Sequence, residues 1–180
     1  MWKYITTHII KRNVRRRDRR REKRFIPYAA VRSVVVFAEP QAVQQLLPRL
    51  QAMAADGKKV TLCLCTSAAQ PSGCTFPGID TVELARPDLC HGHTRPTSEA
   101  CQKILSLGCD AVVDLTLADR LPLSYLMSLS AAPLHLGGKK DTLTPADIMI
   151  QQNADDLTPD TLLQNLLFYW KNIAAKNNNS

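Results

Sequence analysis

The chain has 180 residues, of which 45% are hydrophobic, and carries a formal net charge of +7. This length suits one domain with its own core plus a short appendage, and the apolar content excludes wholesale disorder. Residues 1–32 hold twelve Lys or Arg and two Asp or Glu, a charge of +10, whereas the remainder holds eleven basic and fourteen acidic residues, a charge of −3. Such asymmetry indicates an anionic partner, either nucleic acid or a membrane surface.

A basic run between residues 11 and 24 produces the asymmetry. Ten of its fourteen residues are basic: Lys11, Arg12, Arg15, Arg16, Arg17, Arg19, Arg20, Arg21, Lys23 and Arg24. A packed core cannot hold these side chains, because each buried unpaired charge costs several kcal/mol. We therefore expect all ten to bind nucleic-acid phosphates, with RNA, at the ribosome for example, as the leading partner.

The residues around this run predict a helix. Trp2, Ile5 and Ile9 recur at helical spacing, Ile10 and Val14 extend the apolar stripe, and no Gly or Pro occurs between residues 1 and 26. Two alternatives to RNA binding follow from this amphipathic pattern. The cationic helix lies on an anionic membrane surface, or its apolar stripe docks on the chain's own domain. We expect residues 1–30 to form a mobile, partly helical arm.

Behind the arm, the chain alternates between strand and helix patterns. An apolar β-branched run at 33–38, a helical pattern from Pro40 to Gly57 and a second apolar run at 60–66 predict a βαβ unit, with Pro48 kinking or splitting its helix. Further patterns predict strands at 81–85, 110–116, 133–137 and 147–150, a loop at 86–96, and helices at 97–107, 121–129 and 158–175. We expect one three-layer, Rossmann-like α/β domain over 31–176, with a mainly parallel sheet and a disordered tail at 177–180.

The predicted closing helix carries a strongly apolar face. We expect Leu162, Leu163, Leu166, Leu167, Tyr169 and Trp170 to face the sheet.

Loops after the predicted strands are candidate ligand sites, because ligands of parallel sheets bind at the carboxyl ends of the strands. The loops in question lie at 67–78, 86–96 and 137–141. In the last of them, Gly137, Gly138, Lys139 and Lys140 offer backbone amides and two cations to an anion, although the full phosphate-loop pattern is missing. Nothing in the sequence identifies a cofactor.

Other clusters give no catalytic set. Cys90, His91 and His93 resemble zinc ligands, but no CxxC pair accompanies them, so a plain polar loop is favoured and no metal is expected. Asp114 and Asp119 bracket the end of a predicted strand without a basic or nucleophilic residue fixed opposite Asp114. We expect a protein that is not an enzyme. Because a secretory signal and an apolar membrane span are missing, we expect a cytoplasmic location and reduced thiols.

Two stretches carry a family resemblance. The run at 33–38, followed by a helix and Gly57-Lys58-Lys59-Val60, and the segment 110–137, with its D-x-x-x-D-L-[ST] … PL-x-YL … S-x-A … G pattern, resemble an uncharacterised bacterial family of small domain-of-unknown-function proteins. The segment 147–150 and the basic amino-terminal extension fit the same family, so the resemblance covers nearly the whole chain. It implies an α/β sandwich without an established activity. The sequence departs from the family at Cys90, where Asn is expected.

The segment 110–137 is also similar to the amino-terminal lobe of heptosyltransferase-type glycosyltransferases, through its D-L-x … L-S-x-A … G pattern. This similarity implies a lobe that binds a nucleotide or sugar nucleotide. In those enzymes the donor lies against a second lobe, for which 180 residues leave no room. A stand-alone transferase is therefore not expected.

Overall fold

The computed structural model describes residues 2–70, 73–89, 96–117, 120–140, 143, 145–151 and 157–176, and within these ranges the side chains from residue 7 to residue 173. Its strands are β1 (Ser33–Ala38), β2 (Lys59–Cys65), β3 (Asp80–Leu84), β4 (Ala111–Asp114), β5 (Leu134–Gly138) and β6 (Ile148–Ile150). Its α-helices are α1 (Trp2–Arg20), α2 (Val43–Ala55), α3 (Arg86–Leu89), α4 (Ser98–Leu105), α5 (Leu121–Leu129) and α6 (Pro159–Lys176).

The strands form one sheet in the order β3-β2-β1-β4-β5-β6, and every pairing is parallel. This arrangement confirms the predicted Rossmann-like α/β class. After β1 the chain builds the sheet outward on one side through β2 and β3, and it then returns to β4 and builds the other side. The point of reversal, between β1 and β4, is where doubly wound sheets leave a crevice at the carboxyl ends of the strands.

Helices cover both faces of the sheet, and each face has its own apolar core. On one face, Val34 and Val36 of β1 pack with residues of α2 and α6. On the other face, Val35 and Phe37 pack with residues of α1, α3, α4 and α5. The alternation explains the continuous apolar run of β1, because successive side chains of a strand point to opposite faces and here both faces are buried.

The helix α1 is part of this layered structure. Ile10 and Val14 are only 1% and 0% exposed, and both belong to the apolar core that includes α5. Instead of projecting as the mobile arm expected from the sequence, the helix packs through these residues against the domain. Ile9, which the apolar stripe also included, is 52% exposed. The docked face of α1 is therefore rotated away from Ile9.

Two contacts tie the segment after α1 to the far side of the molecule. The indole N–H of Trp170, on α6, donates to the carbonyl of Ile26 at 2.8 Å. The rings of Tyr28 and Trp170 meet edge to face with their centroids 5.3 Å apart. The chain between α1 and β1 is thereby held against α6.

Several local expectations were wrong. The helix α2 continues through Pro48, so the split considered there does not occur, whereas the kink stays a prediction. Pro48 is exposed on the side of the helix opposite the buried Leu46 and Leu50. The hydrogen bond that proline cannot donate would reach Gln44, in the first turn. The expected loop at 86–96 opens with the one-turn helix α3.

Tyr169 was expected to face the sheet, but it is 49% exposed and stacks edge to face on Phe168. At 100° per residue, Tyr169 lies about 70° from the centre of the arc that holds the four buried side chains of α6, Leu162, Leu163, Leu166 and Trp170.

Candidate functional site

Five arginines form a continuous exposed surface on α1, which we call the arginine ridge: Arg12, Arg15, Arg16, Arg19 and Arg20. They project on the side of the helix opposite Ile10 and Val14, because residues three and four apart share a face. Within the described part of the chain, none of these five guanidinium groups pairs with a carboxylate. The ridge is thus a concentrated positive charge that the fold itself does not neutralise.

Open grooves flank the ridge. One groove, of about 520 Å³, runs along the ridge and includes His8 and Lys11. A second, of about 580 Å³, separates the end of α1 from the end of α5 and includes Arg16, Arg20, Ser128 and Ser130. Grooves lined by a row of cations suit an extended polyanion.

Arg21 differs from the ridge residues. Its side chain is only 4% exposed, and its guanidinium donates to both carboxylate oxygens of Asp147 at 2.7 Å and to the carbonyl oxygens of Ala132 and Pro133 at 3.0 Å. It also pairs with Asp18 at 3.2 Å. Arg21 was among the expected nucleic-acid ligands, but these contacts make it the residue that fastens the end of α1 to β5 and β6.

Some of the remaining cations of the basic run contact other parts of the fold, and others expose their side chains to solvent. Lys23 pairs with Asp18 at 2.7 Å and with Asp147 at 3.2 Å. Arg17 is exposed and its guanidinium lies 5.5 Å from the ring centroid of Tyr125, on α5. Arg24 exposes its side chain while its backbone N–H donates to Pro133, and Lys11 is half-buried.

A buried histidine lies beside the Arg21 contacts. His135, on β5, donates from Nδ1 to the carbonyl of Pro145 at 3.0 Å, since a carbonyl oxygen only accepts, and its Nε2 has no partner among the described residues. Burial, together with the positive charge of Arg21, lowers the pKa of His135 to about 4. Burial by itself raises the pKa of Asp147, but hydrogen bonds from Arg21 and from the His135 backbone bring it below its ordinary value.

The expected anion turn at 137–140 is occupied by other contacts. Gly137 and Gly138 end β5 and are buried, and a Cβ at Gly137 would lie 3.3 Å from the Cβ of Asp114. Lys140 forms a buried ion pair with Asp114 and donates to Thr116 Oγ1 at 2.8 Å, while Lys139 bonds Gln151 at 3.1 Å. Gly137 therefore allows close packing against β4, Gly138 allows close packing against Leu162 of α6, and Lys140 neutralises a buried carboxylate.

The same ion pair corrects the interpretation of Asp114. The sequence showed no basic residue fixed opposite this carboxylate, yet Lys140 lies against it because β4 and β5 are neighbours in the sheet. Asp114 also accepts from the backbone N–H of Thr116 at 3.0 Å. Its oxygens are thus held by the turn that ends β4.

The cysteine, histidine and aspartate candidates from the sequence form no site among the described residues. Cys90, His91, His93 and Asp119 lie outside the described residues. Among the residues that are described, no group of three or more His, Cys, Asp or Glu side chains is placed to hold a metal ion. The buried Cys63 and Cys65 of β2 are not joined in a disulfide.

A pocket of about 290 Å³ lies at the carboxyl edge of the sheet, beyond β2, β3 and β4. It is lined by Thr66, Ser67, Arg86, Leu89, Arg120, Pro122 and Leu123. The expected ligand loops included Ser67 and Arg86. They missed Arg120, although its place between a buried strand and the helix-starting Pro122 is a signal that the sequence contains.

No family model, no curated protein and no solved structure matches the chain. The two family resemblances drawn from the sequence therefore stay predictions. None of the described helices combines the length and the apolar content that crossing a bilayer requires.

Proposed function

We propose that the protein binds RNA, without acting as an enzyme, through the phosphates that its arginine ridge contacts. The observation that carries this proposal is the two-sided character of α1. One side is fixed to the domain by Ile10, Val14 and Arg21, and the other presents to solvent five guanidinium groups that pair with no carboxylate among the described residues. Guanidinium groups bind phosphate oxygens in a planar, bidentate manner, which makes arginine the preferred residue for such contacts.

The dimensions of the ridge support this proposal. From Arg12 to Arg20 the helix rises about 12 Å, and ridge residues four apart are separated by about 6 Å along the axis. A nucleic-acid strand in a duplex presents one phosphate about every 3.4 Å of axis, so the ridge faces about three or four successive phosphates. Because docking already orders the helix, binding does not have to supply the cost of folding it.

Burial of Ile10 and Val14 favours phosphate over lipid. An interfacial helix inserts an apolar face beside its cationic face. In α1, Ile10 and Val14 are buried in the protein core. Among the apolar side chains described on this helix, Ile9 alone is exposed. Attachment to an anionic membrane is therefore the second candidate, and the same variants distinguish the two.

The test compares two pairs of substitutions that remove the same charge. Arg12→Gln with Arg16→Gln removes two ridge cations, and Arg32→Gln with Lys103→Gln removes two exposed cations elsewhere. With a fluorescent 20-nucleotide RNA at about 0.1 M salt, the ridge pair should weaken binding by about tenfold or more, and the slope of log K against log salt should become shallower by about 1.4, since each lost single-strand contact contributes about 0.7.

The control pair should change the RNA affinity by less than about twofold. Equal losses in the two pairs would show that only net charge matters and would contradict the proposal. Binding of the wild-type protein to anionic vesicles but not to RNA, abolished by the ridge pair, would establish the membrane alternative instead.

A further inference from the structure

The pocket at the carboxyl edge of the sheet lies next to the point where strand order reverses. Thr66 and Ser67 follow β2, Arg86 follows β3, and Arg120 precedes α5, whose first residues form the remaining wall. Glu39, at the end of β1, pairs with Arg120 at 3.1 Å. The polar groups thus come from four separate elements, brought together only by the order of the strands.

The charge of this pocket is positive. Arg120 is balanced by Glu39, whereas Arg86 is exposed and has no carboxylate partner in the described part of the chain. The hydroxyl of Thr66 accepts from the backbone N–H of Ala68 at 3.1 Å, so its own proton is left to donate. Two guanidinium groups and two hydroxyls offer the several donors that the terminal oxygens of a phosphate accept.

The opposite wall is apolar, and the start of α5 adds little to anion binding. Leu89, Pro122 and Leu123 form this wall. Pro122 has no N–H, and the N–H groups of Leu123 and Ser124 already donate to the carbonyl of Arg120 at 3.0 and 3.2 Å. The arginine side chains, and not the helix terminus, therefore supply the attraction for an anion.

A dinucleotide does not fit, although the strand order is that of dinucleotide-binding folds. Those folds need a glycine-rich turn after the first strand so that the backbone approaches the pyrophosphate. Here the turn after β1 reads Glu39-Pro40-Gln41, without glycine and with a carboxylate. The volume of about 290 Å³ lies at the lower end for small-molecule sites, which matches a ligand of sugar-phosphate size.

We propose that this pocket binds a small sugar phosphate, with the phosphate between Arg86 and Arg120 and the sugar against Leu89 and Pro122. The site is separate from the arginine ridge. The pocket lies at the first residues of α5, whereas the groove beside α1 involves the opposite end of that helix, at Ser128–Ser130. Binding here is independent of RNA binding.

Calorimetric titration of the full-length protein with ribose 5-phosphate tests this inference. Arg86→Gln should weaken binding by about tenfold or more, because it removes a charge-assisted contact without breaking an internal ion pair. The matched control, Arg12→Gln, removes an exposed ridge arginine and should leave the affinity for ribose 5-phosphate unchanged. Ribose without the phosphate should not bind.

Arg120→Gln provides a second variant. Because Arg120 also pairs with Glu39, thermal melting is used to check that this variant is folded. Loss of ribose 5-phosphate binding in Arg12→Gln but not in Arg86→Gln would place the phosphate on the ridge and overturn the inference. Failure of the wild-type protein to bind at 10 mM ligand, about the weakest affinity of interest, would overturn it too. Neither outcome affects the RNA proposal, since Arg86→Gln should bind RNA as the wild type does.

Discussion

Arg21 belongs to the same basic run as the arginine ridge, yet its surroundings give it a structural role. Five acceptors surround its guanidinium, counting both oxygens of Asp147, one oxygen of Asp18 and the carbonyls of Ala132 and Pro133. Arg20, the residue before it, is exposed and has no such contacts among the described residues. Successive residues of a helix differ in direction by about 100°. This rotation places Arg21 against the domain and Arg20 in solvent.

Arg21→Ala should lower the free energy of unfolding by about 3 kcal/mol, because it removes one partner of a largely buried ion pair and the side-chain donor to the Ala132 carbonyl. Urea denaturation followed by circular dichroism measures this change. The control Arg20→Ala should stay within about 0.5 kcal/mol of the wild type. Similar losses in both variants would show that charge on α1, and not the Arg21 contacts, stabilises the fold.

His135 should make stability depend on pH. Its pKa is about 4 in the folded protein against an ordinary 6.5, so between these values the unfolded chain binds a proton that the folded chain excludes. Stability is complete above pH 6.5 and falls as the pH is lowered toward 4, by roughly 3 kcal/mol in total. The carboxyl of Asp147 titrates below its ordinary value of 3.8 and therefore contributes at lower pH.

His135→Asn keeps a side-chain N–H near the position of Nδ1 but cannot take up a proton. Urea titrations at pH 7 and pH 5 should give a clear difference for the wild type and a much smaller difference for this variant. A pH dependence that is unchanged in His135→Asn would assign it to other groups.

At the scale of elements, α1 combines two functions that the sequence suggested were separate. Its apolar side completes the core beneath α5, and its basic side forms the ridge. Deleting residues 1–24 would therefore expose core residues and remove Arg21 as well as the ridge. Point substitutions on the exposed face test RNA binding without this complication.

Two adjacent isoleucines test the docking of α1. Ile10 is buried and Ile9 is 52% exposed, so Ile10→Ala should cost about 2–5 kcal/mol of unfolding free energy and Ile9→Ala less than about 0.5. Chemical denaturation of the two variants gives the comparison. If both alanine substitutions prove neutral, α1 does not pack on the domain in solution.

The whole molecule has an uneven distribution of charge along one layer of helices. The ridge on α1 lies beside the end of α5, and the pocket with Arg86 and Arg120 lies at the start of α5. The protein thus presents two positive surfaces of different composition, a ridge of guanidinium groups on α1 and a pocket in which two arginines face an apolar wall. The row of cations suits a polymer, and the smaller pocket suits a small ligand.

Many elements could be predicted from the sequence alone because their signals are local. The bounds of β1 and α5 match the expected residues, since a β-branched apolar run and a proline at the first turn of a helix determine structure within a few positions. The alternation of strands and helices likewise implied a parallel sheet with two covered faces. The basic run and its helical pattern were evident in the same way.

The roles of individual charged residues depended on tertiary structure. Arg21 meets Asp147, which is 126 positions later, and Lys140 meets Asp114, 26 positions earlier. Arg86 and Arg120 share a pocket only because β3 and β4 end at the same edge of the sheet. Composition and periodicity establish that the amino-terminal segment is a cationic helix. The packing of α1 decides which of its cations can bind an anion, because the Arg21 guanidinium is buried and its terminal N–H groups already donate to carboxylates and carbonyls.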